Sequence, residues 1–273
     1  MKKIITSKKA FVFALLALTV WGCSKVPLTG RRQMRLLPES TLIEASSLSY
    51  QHVLDTANII RSGEQAEMIR RVGKRIAASV EKYMKENGYE SRLEGFDWQF
   101  NLIQDNNVNA WCMSGGKVAF YTGILPICKD ETGVAVVMGH EIAHAIARHG
   151  NERVSQSLAL QGLSTGVDLA LMIKEKPALA RQIVNTAVGV GGQVGMLAFS
   201  RKHESESDEM GLIFMAMAGY NPSEAPVFWD RMGQLGGERP PLMLSTHPHP
   251  EARQADLRKQ LPRAMEIYNQ TKR

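Results

Sequence analysis

Cysteine is scarce in this chain, with three in 273 residues. A structural zinc centre, which fills all four metal positions with protein ligands and usually with Cys, is therefore a poor fit. Acidic residues are missing from residues 1–22, which carry Lys2, Lys3, Lys8 and Lys9. Without that segment the formal charge falls from +6 to +2, so no basic surface remains to argue for a nucleic-acid partner. Internal repeats and low-complexity tracts are absent too. The remaining length, about 250 residues, fits one domain or one domain with a helical extension.

What is present is a compact motif, His140-Glu141-Ile142-Ala143-His144. Helical positions four apart lie only about 40° out of line, so both imidazoles can face one ion. Zinc acidifies water to a pKa of about 7, and a carboxylate beside the first ligand can take the proton. That makes Glu141 the candidate general base of metal-assisted peptide hydrolysis. The competing reading is a core helix with satisfied side chains. The flanks decide between them: Thr132 to Gly139 is uncharged, and Ala143, Ala145, Ile146 and Ala147 are small or apolar. Two His and a Glu inside a buried helix need partners, and a metal supplies one.

A third protein ligand must come from elsewhere. One continuation would place Gly at 147 and His at 150, but the chain has Ala147 and Gly150. His149 lies about 180° round the helix from His140 and reads as a supporting or capping group, with Gly150 as the helix stop. Glu152 points away if that helix continues. In Phe199 to Gly211, Glu204 and Asp208 share a helical face, whereas Glu206 turns to the opposite one. Glu204 against the metal puts Asp208 one turn further on, where it can accept a ligand imidazole's remaining N–H. A solvated charged helix start is the alternative for this run, and spacing leaves Asp208 open as the ligand.

The two motifs, HEIAHAIARHG and FSRKHESESDEMG, resemble the zinc metalloendopeptidases of the HtpX and CaaX-prenyl-protease type, nearest their periplasmic lipoprotein branch. Asn109-Ala110-Trp111, Gly115-Gly116-Lys117, Ala218 to Pro222 and Ser245 to Pro248 extend the likeness. It implies a zincin-like domain holding one zinc ion through His140, His144 and Glu204, with Asp208 in support. It also implies Asn109 and Ala110 lining the cleft and a loop residue, His247, able to reach the zinc and hold the enzyme latent. Ser207 stands where Ala is usual. Arg253, six residues beyond His247, reads either as a donor to the oxyanion of the scissile carbonyl or as a helix-starting ion pair.

Lysines before the apolar run Ala10 to Trp21 make residues 1–22 a signal peptide. The run is shorter than the ~20 residues of a membrane span. Val20-Trp21-Gly22-Cys23 resembles a bacterial lipoprotein processing site, with Cys23 acylated. Residues 23–36 then form a lipidated tether and residues 37–273 the peptidase domain. Ser24, with no Asp after the Cys, points to an outer-membrane lipid anchor facing the periplasm. Substrates would be exposed or misfolded envelope proteins, with envelope assembly machinery as a partner. The rival role is a chaperone-like assembly lipoprotein that holds clients with little cleavage. Cys112 and Cys128 are expected as two separate buried thiols.

The fold class expected is α+β, mostly helical, with a small sheet beside the active-site helix. Helical periodicity covers Pro38 to Ile60 and Glu64 to Asn87. Residues 96–122 alternate as strands, with Gly115-Gly116 as hairpin punctuation. Asn221 and Pro222 restart a helix as cap and first residue. Ile183 to Ser200, uncharged, reads as a packed helix or a cover over the cleft.

Overall fold

The computed structural model describes residues 23–160, 200–235, 241–247 and 250–272. The expected signal peptide and most of the Ile183 to Ser200 stretch lie outside the described residues. Within the stretch expected as a tether, strands β1 (Cys23–Lys25) and β2 (Arg32–Met34) pair antiparallel. Their connection is tight: Gly30 N donates to Val26 O at 2.9 Å, and Leu28 and Gly30 both adopt φ of 69°. Val26 is fully buried and Gln33 nearly so, so this hairpin is packed onto the domain.

Helix α1 (Glu39–Thr56) stops short of the expected Ile60. The β-branched pair Ile59–Ile60 instead forms β3, opposite Ile103 and Leu102. Helix α2 (Glu64–Glu86) buries its stripe of Ile69, Val72, Ile76 and Val80. Strands β4 (Gln99–Ile103), β5 (Ala110–Met113) and β6 (Lys117–Tyr121) complete a sheet of order β3-β4-β6-β5. The β4–β6 pair is parallel and the others antiparallel. Gly115 and Gly116, at φ of 83° and 80°, make the β5–β6 turn, and β5 is left at the edge.

The short α3 (Leu125–Cys128) leads into α4 (Glu131–Ile146), whose cap Asp130 accepts from Thr132 N and Gly133 N. Then come α5 (His149–Leu160), α6 (Arg201–Met217) and α7 (Glu224–Gln234). The short α8 (Leu242–Thr246) and the long α9 (Pro250–Thr271) follow. Ser200 caps α6 by accepting from His203 N. Helix α7 begins two residues later than expected. Asn221 Oδ1 accepts from Ser223 N at 3.1 Å, closing a local turn before the helix rather than capping it. Among the described residues no helix is long and apolar enough to cross a membrane. The architecture is α+β and mostly helical, as expected.

Two glycines set the centre of the molecule. A Cβ on Gly139 would lie 2.9 Å from Gly211 O, and one on Gly211 2.9 Å from His140 N. Only hydrogen at both positions lets α4 and α6 approach backbone to backbone, directly beside the motif.

Candidate metal centre

Helix α4 is buried along almost its whole length, so its two imidazoles and Glu141 lie inside the domain. His140 Nε2 and His144 Nε2 are 3.1 Å apart. Helix α6, running antiparallel, brings Glu204 Oε2 to 3.5 Å from His140 Nε2 and Oε1 to 3.4 Å from His144 Nε2. His247, just after α8, places Nδ1 at 3.0 Å from Glu204 Oε1 and 3.2 Å from His140 Nε2. Tetrahedral ligands at about 2.0–2.1 Å from zinc stand about 3.3–3.4 Å from one another. The separations above run from 3.0 to 3.5 Å, close to that spacing, and the four residues have that chemistry. Glu141 Oε1, 3.6 Å from His247 Nε2, is buried with no hydrogen-bond partner among the described residues. The residues fit a metal ion with a base beside it.

Hydrogen bonds assign which ring nitrogen faces inward. His140 Nδ1 donates to Asp208 Oδ1 at 3.0 Å. His149 Nε2 donates to Glu206 Oε2 at 2.9 Å, leaving its Nδ1 to accept from His144 Nδ1 at 2.9 Å. Both motif imidazoles therefore keep an Nε2 lone pair for a cation.

Burial pushes the Glu141 carboxyl up, and His247 and His140 pull it only part of the way back. Burial acts the same way on Glu204, but His247, Arg253 and the motif imidazoles outweigh it and hold that acid well below the carboxylate range. Burial keeps His144 neutral, and lowers His149 to about 4. For His140, burial and Arg253 oppose protonation, yet Asp208 and Glu204 overcome them and raise it to about 9. The field that favours a proton there equally favours a metal cation.

The remaining sequence-derived residues fall as follows. Arg253 takes the ion-pair alternative. Its Nε and Nη2 donate to Asp208 at 2.7 and 2.6 Å, Nη1 lies 2.9 Å from Glu204 Oε2, and the guanidinium stacks 3.4 Å over Trp229. These are the contacts of the ion-pair alternative. Asn109 and Ala110 are buried where the chain enters β5. Cys112 and Cys128 are buried free thiols, and Cys23 opens β1. Gly150 is not the helix stop: α4 ends at Ile146, Arg148 turns the chain at φ of 57°, and Gly150 lies inside α5. Because the helix breaks, Glu152 is carried back into the interior, where it accepts from His203 Nε2 at 3.1 Å and from Arg31. Glu206, on the face away from Glu204, is joined to His144 through His149. Sequence reasoning missed Arg31, His203 and Trp229. The one available signal was a second pair of acids, Glu152 and Glu206, in segments otherwise destined for burial.

Fold and site together define a mostly helical metallohydrolase with a His-Glu-x-x-His helix and a carboxylate supplied by α6. The chain belongs to peptidase family M48, whose model matches residues 70–261. It is 38% identical over 173 residues to the mitochondrial metalloendopeptidase OMA1 of Arabidopsis thaliana, covering 63% of this chain and 33% of that protein. The Saccharomyces cerevisiae protein of the same name is 35% identical over 191 residues, covering 66% and 52%. The beta-barrel assembly-enhancing protease of Escherichia coli is 30% identical over 166 residues, covering 59% and 34%. The chain thus spans between a third and about half the length of these relatives. The expected address is overturned. Mitochondrial enzymes match at 38% and 35% against 30% for the Escherichia coli one, so an outer-membrane lipid anchor facing the periplasm does not stand.

Proposed function

We propose that the chain is a zinc-dependent endopeptidase that cuts extended segments of misfolded or misassembled proteins. The observation that carries this reading is the convergence of His140, His144, Glu204 and His247, with ligand atoms within 4.8 Å of one another, beside the unpartnered Glu141 Oε1. A zinc ion held there supplies Lewis-acid polarisation of a peptide carbonyl and an acidified water. The rest is done by the chain. Glu141, raised by burial, takes a proton from the attacking water and delivers it to the leaving amine. Asp208 and His149 keep the two imidazoles oriented. Edge strand β5 suits a substrate bound as an added strand along Asn109 and Ala110, a mode that requires extended backbone. The name of the Escherichia coli relative invokes beta-barrel assembly, and an unpaired strand edge is the form of backbone that such a mode binds.

His247 holds the enzyme latent. Its ring stands in the fourth ligand place, and Met243 N, on the same segment, donates to Val108 O at 3.2 Å next to the substrate edge. That closure also favours a second reading, in which the cleft holds clients with little cleavage. Replacing Glu141 with Gln separates the two. Zinc stays bound while cleavage of an unfolded protein falls about 10²–10⁴-fold, and undiminished cleavage refutes the mechanism. Client rescue in cells by the same variant supports the holding role. His247→Ala raises cleavage rate with zinc retained; an unchanged rate removes the latch.

A further inference from the structure

Behind His144 lies a buried polar cluster that peptide hydrolysis itself does not require. Arg31, on the N-terminal hairpin, stands between two acids from different helices. Its Nη1 and Nη2 donate to Glu152 of α5 at 2.9 and 2.7 Å, and its Nε donates to Glu206 of α6 at 2.7 Å. Thr29, from the same hairpin, donates to Glu206 as well. The three charged side chains are 13%, 7% and 5% exposed. On the far side of the acids, His203 donates to Glu152 and His149 to Glu206, their rings stacked with centroids 4.4 Å apart. The hairpin is also fastened to the end of the metal-bearing helix, where Gln33 Nε2 donates to Ala147 O at 2.7 Å.

A planar guanidinium holding two carboxylates through three N–H bonds fixes both in direction as well as position. Glu206 is one of them, and its direction sets the ring of His149, which in turn contacts His144 Nδ1 at 2.9 Å. We propose that Arg31 is a positioning residue for the metal centre: it fixes Glu206, Glu206 fixes His149, and His149 holds His144 with Nε2 turned toward the cation. The hairpin is then part of the working site, although it lies more than 100 residues from the motif in sequence. This inference rests on the metal-site reading above.

The test uses the full chain, with zinc affinity read by chelator competition and ligand geometry by the visible absorption of the cobalt(II)-loaded protein. Arg31→Gln lowers zinc affinity about tenfold or more, as loss of an outer partner of a ligand His does, and shifts the cobalt absorption. Arg31→Lys recovers part of the loss, since it returns the charge without the fork. Combined with His149→Ala, Arg31→Gln adds no further loss, because both act on one line. Unchanged affinity and absorption in a folded Arg31→Gln protein overturns the proposal, as does full additivity with His149→Ala. If Arg31→Gln does not fold, Thr29→Val removes one Glu206 hydrogen bond without stranding a charge. A loss of about threefold with a shifted absorption then supports the proposal, and no change in either overturns it. Wild-type protein that takes up no zinc fails the metal-site reading itself, an outcome distinct from wild-type uptake matched by Arg31→Gln.

Discussion

His140 and His144 lie one turn apart on the same helix, yet they are backed by unlike groups. His140 Nδ1 meets a carboxylate directly, Asp208, which is clamped by Arg253 from α9. His144 Nδ1 meets a second imidazole, His149, which passes the contact to Glu206, clamped by Arg31 from the hairpin. Each line ends on a guanidinium. The difference follows from how α4 and α6 cross. One turn C-terminal to Glu204 along α6 brings Asp208 beside His140. One turn N-terminal brings Ser200, the helix cap, which has no carboxylate to offer His144. The chain solves this by breaking α4 at Arg148 and opening α5 with His149 next to His144. A direct carboxylate needs one residue on a helix already in place. A relay needs a helix break and a third, distant element.

The largest expected effect breaks the direct line. Asp208→Ala takes from the buried Arg253 the carboxylate that its Nε and Nη2 donate to, leaving Nε stranded, a loss of about 3–5 kcal/mol in unfolding free energy. Zinc affinity falls about 10–100-fold with it. His149→Ala removes a neutral ring while Glu206 stays held by Arg31, so its stability loss is smaller, about 1–3 kcal/mol. Denaturant titration and chelator competition on both variants decide the matter. Equal stability losses erase the distinction between the two lines.

Next in size is a change that strains both lines at once. In Gly211→Ala the new methyl meets His140 N at 2.9 Å, and neither backbone can yield cheaply. The helices separate, at about 1–3 kcal/mol for overpacking, and zinc affinity drops because Glu204 and Asp208 ride on the displaced helix. Unaltered zinc affinity in that variant shows that the crossing distance does not set the site.

The direct line was largely legible in the sequence, and the relay was not. His140, His144, Glu204 and Asp208 are two pairs at helical spacing, and local periodicity exposes such pairs. His149 reads from the sequence as a supporting or capping group, and it does support His144, but a helix continued to Gly150 turns it away from that ring. The break depends on Arg148 adopting φ of 57°, which no residue type there announces. Arg31 meets its two acids 121 and 175 positions away. Its neighbours, Pro27, Gly30 and Arg32, have the composition of a linker, so nothing local marked it as interior. Arg253 stands out in the sequence, but its stacking on Trp229 and its pairing with two acids of α6 are contacts that only tertiary packing brings together.

Acid distinguishes the two lines by a smaller effect. His149 has its pKa lowered from 6.5 to about 4, mainly by burial. Glu206 goes from 4.5 to about 2, burial being outweighed by His149, Thr29 and Arg31. In both cases the unfolded chain binds more protons, so stability is present above the unfolded value and is lost as pH falls through the folded one. Chelator-treated protein therefore loses stability between about pH 6.5 and 4, and again from about 4.5 to 2. His149→Ala makes the first of these windows shallower, with His144, also held neutral by burial, accounting for what remains, while Asp208, held below its usual range by Arg253 and His140 against burial, contributes only in the acid one. Unfolding curves across pH for wild type and His149→Ala check this, and identical slopes from pH 6.5 to 4 remove His149 as the acid-sensitive link.

The smallest effect sharpens the relay itself. His149 Nδ1 has a single lone pair, and both His144 Nδ1 at 2.9 Å and Ser207 Oγ at 3.3 Å are in reach of it. The shorter contact takes the lone pair, leaving the hydroxyl a weak competitor. Ser207→Ala should then cost no more than about 1 kcal/mol in stability. It should leave zinc affinity within about threefold of wild type, since the His144–His149 bond remains and loses only its rival. A tenfold loss of zinc affinity in Ser207→Ala would mean that His149 is oriented by the hydroxyl rather than by Glu206. The relay would then begin at Ser207, within α6, and the hairpin would have no part in it.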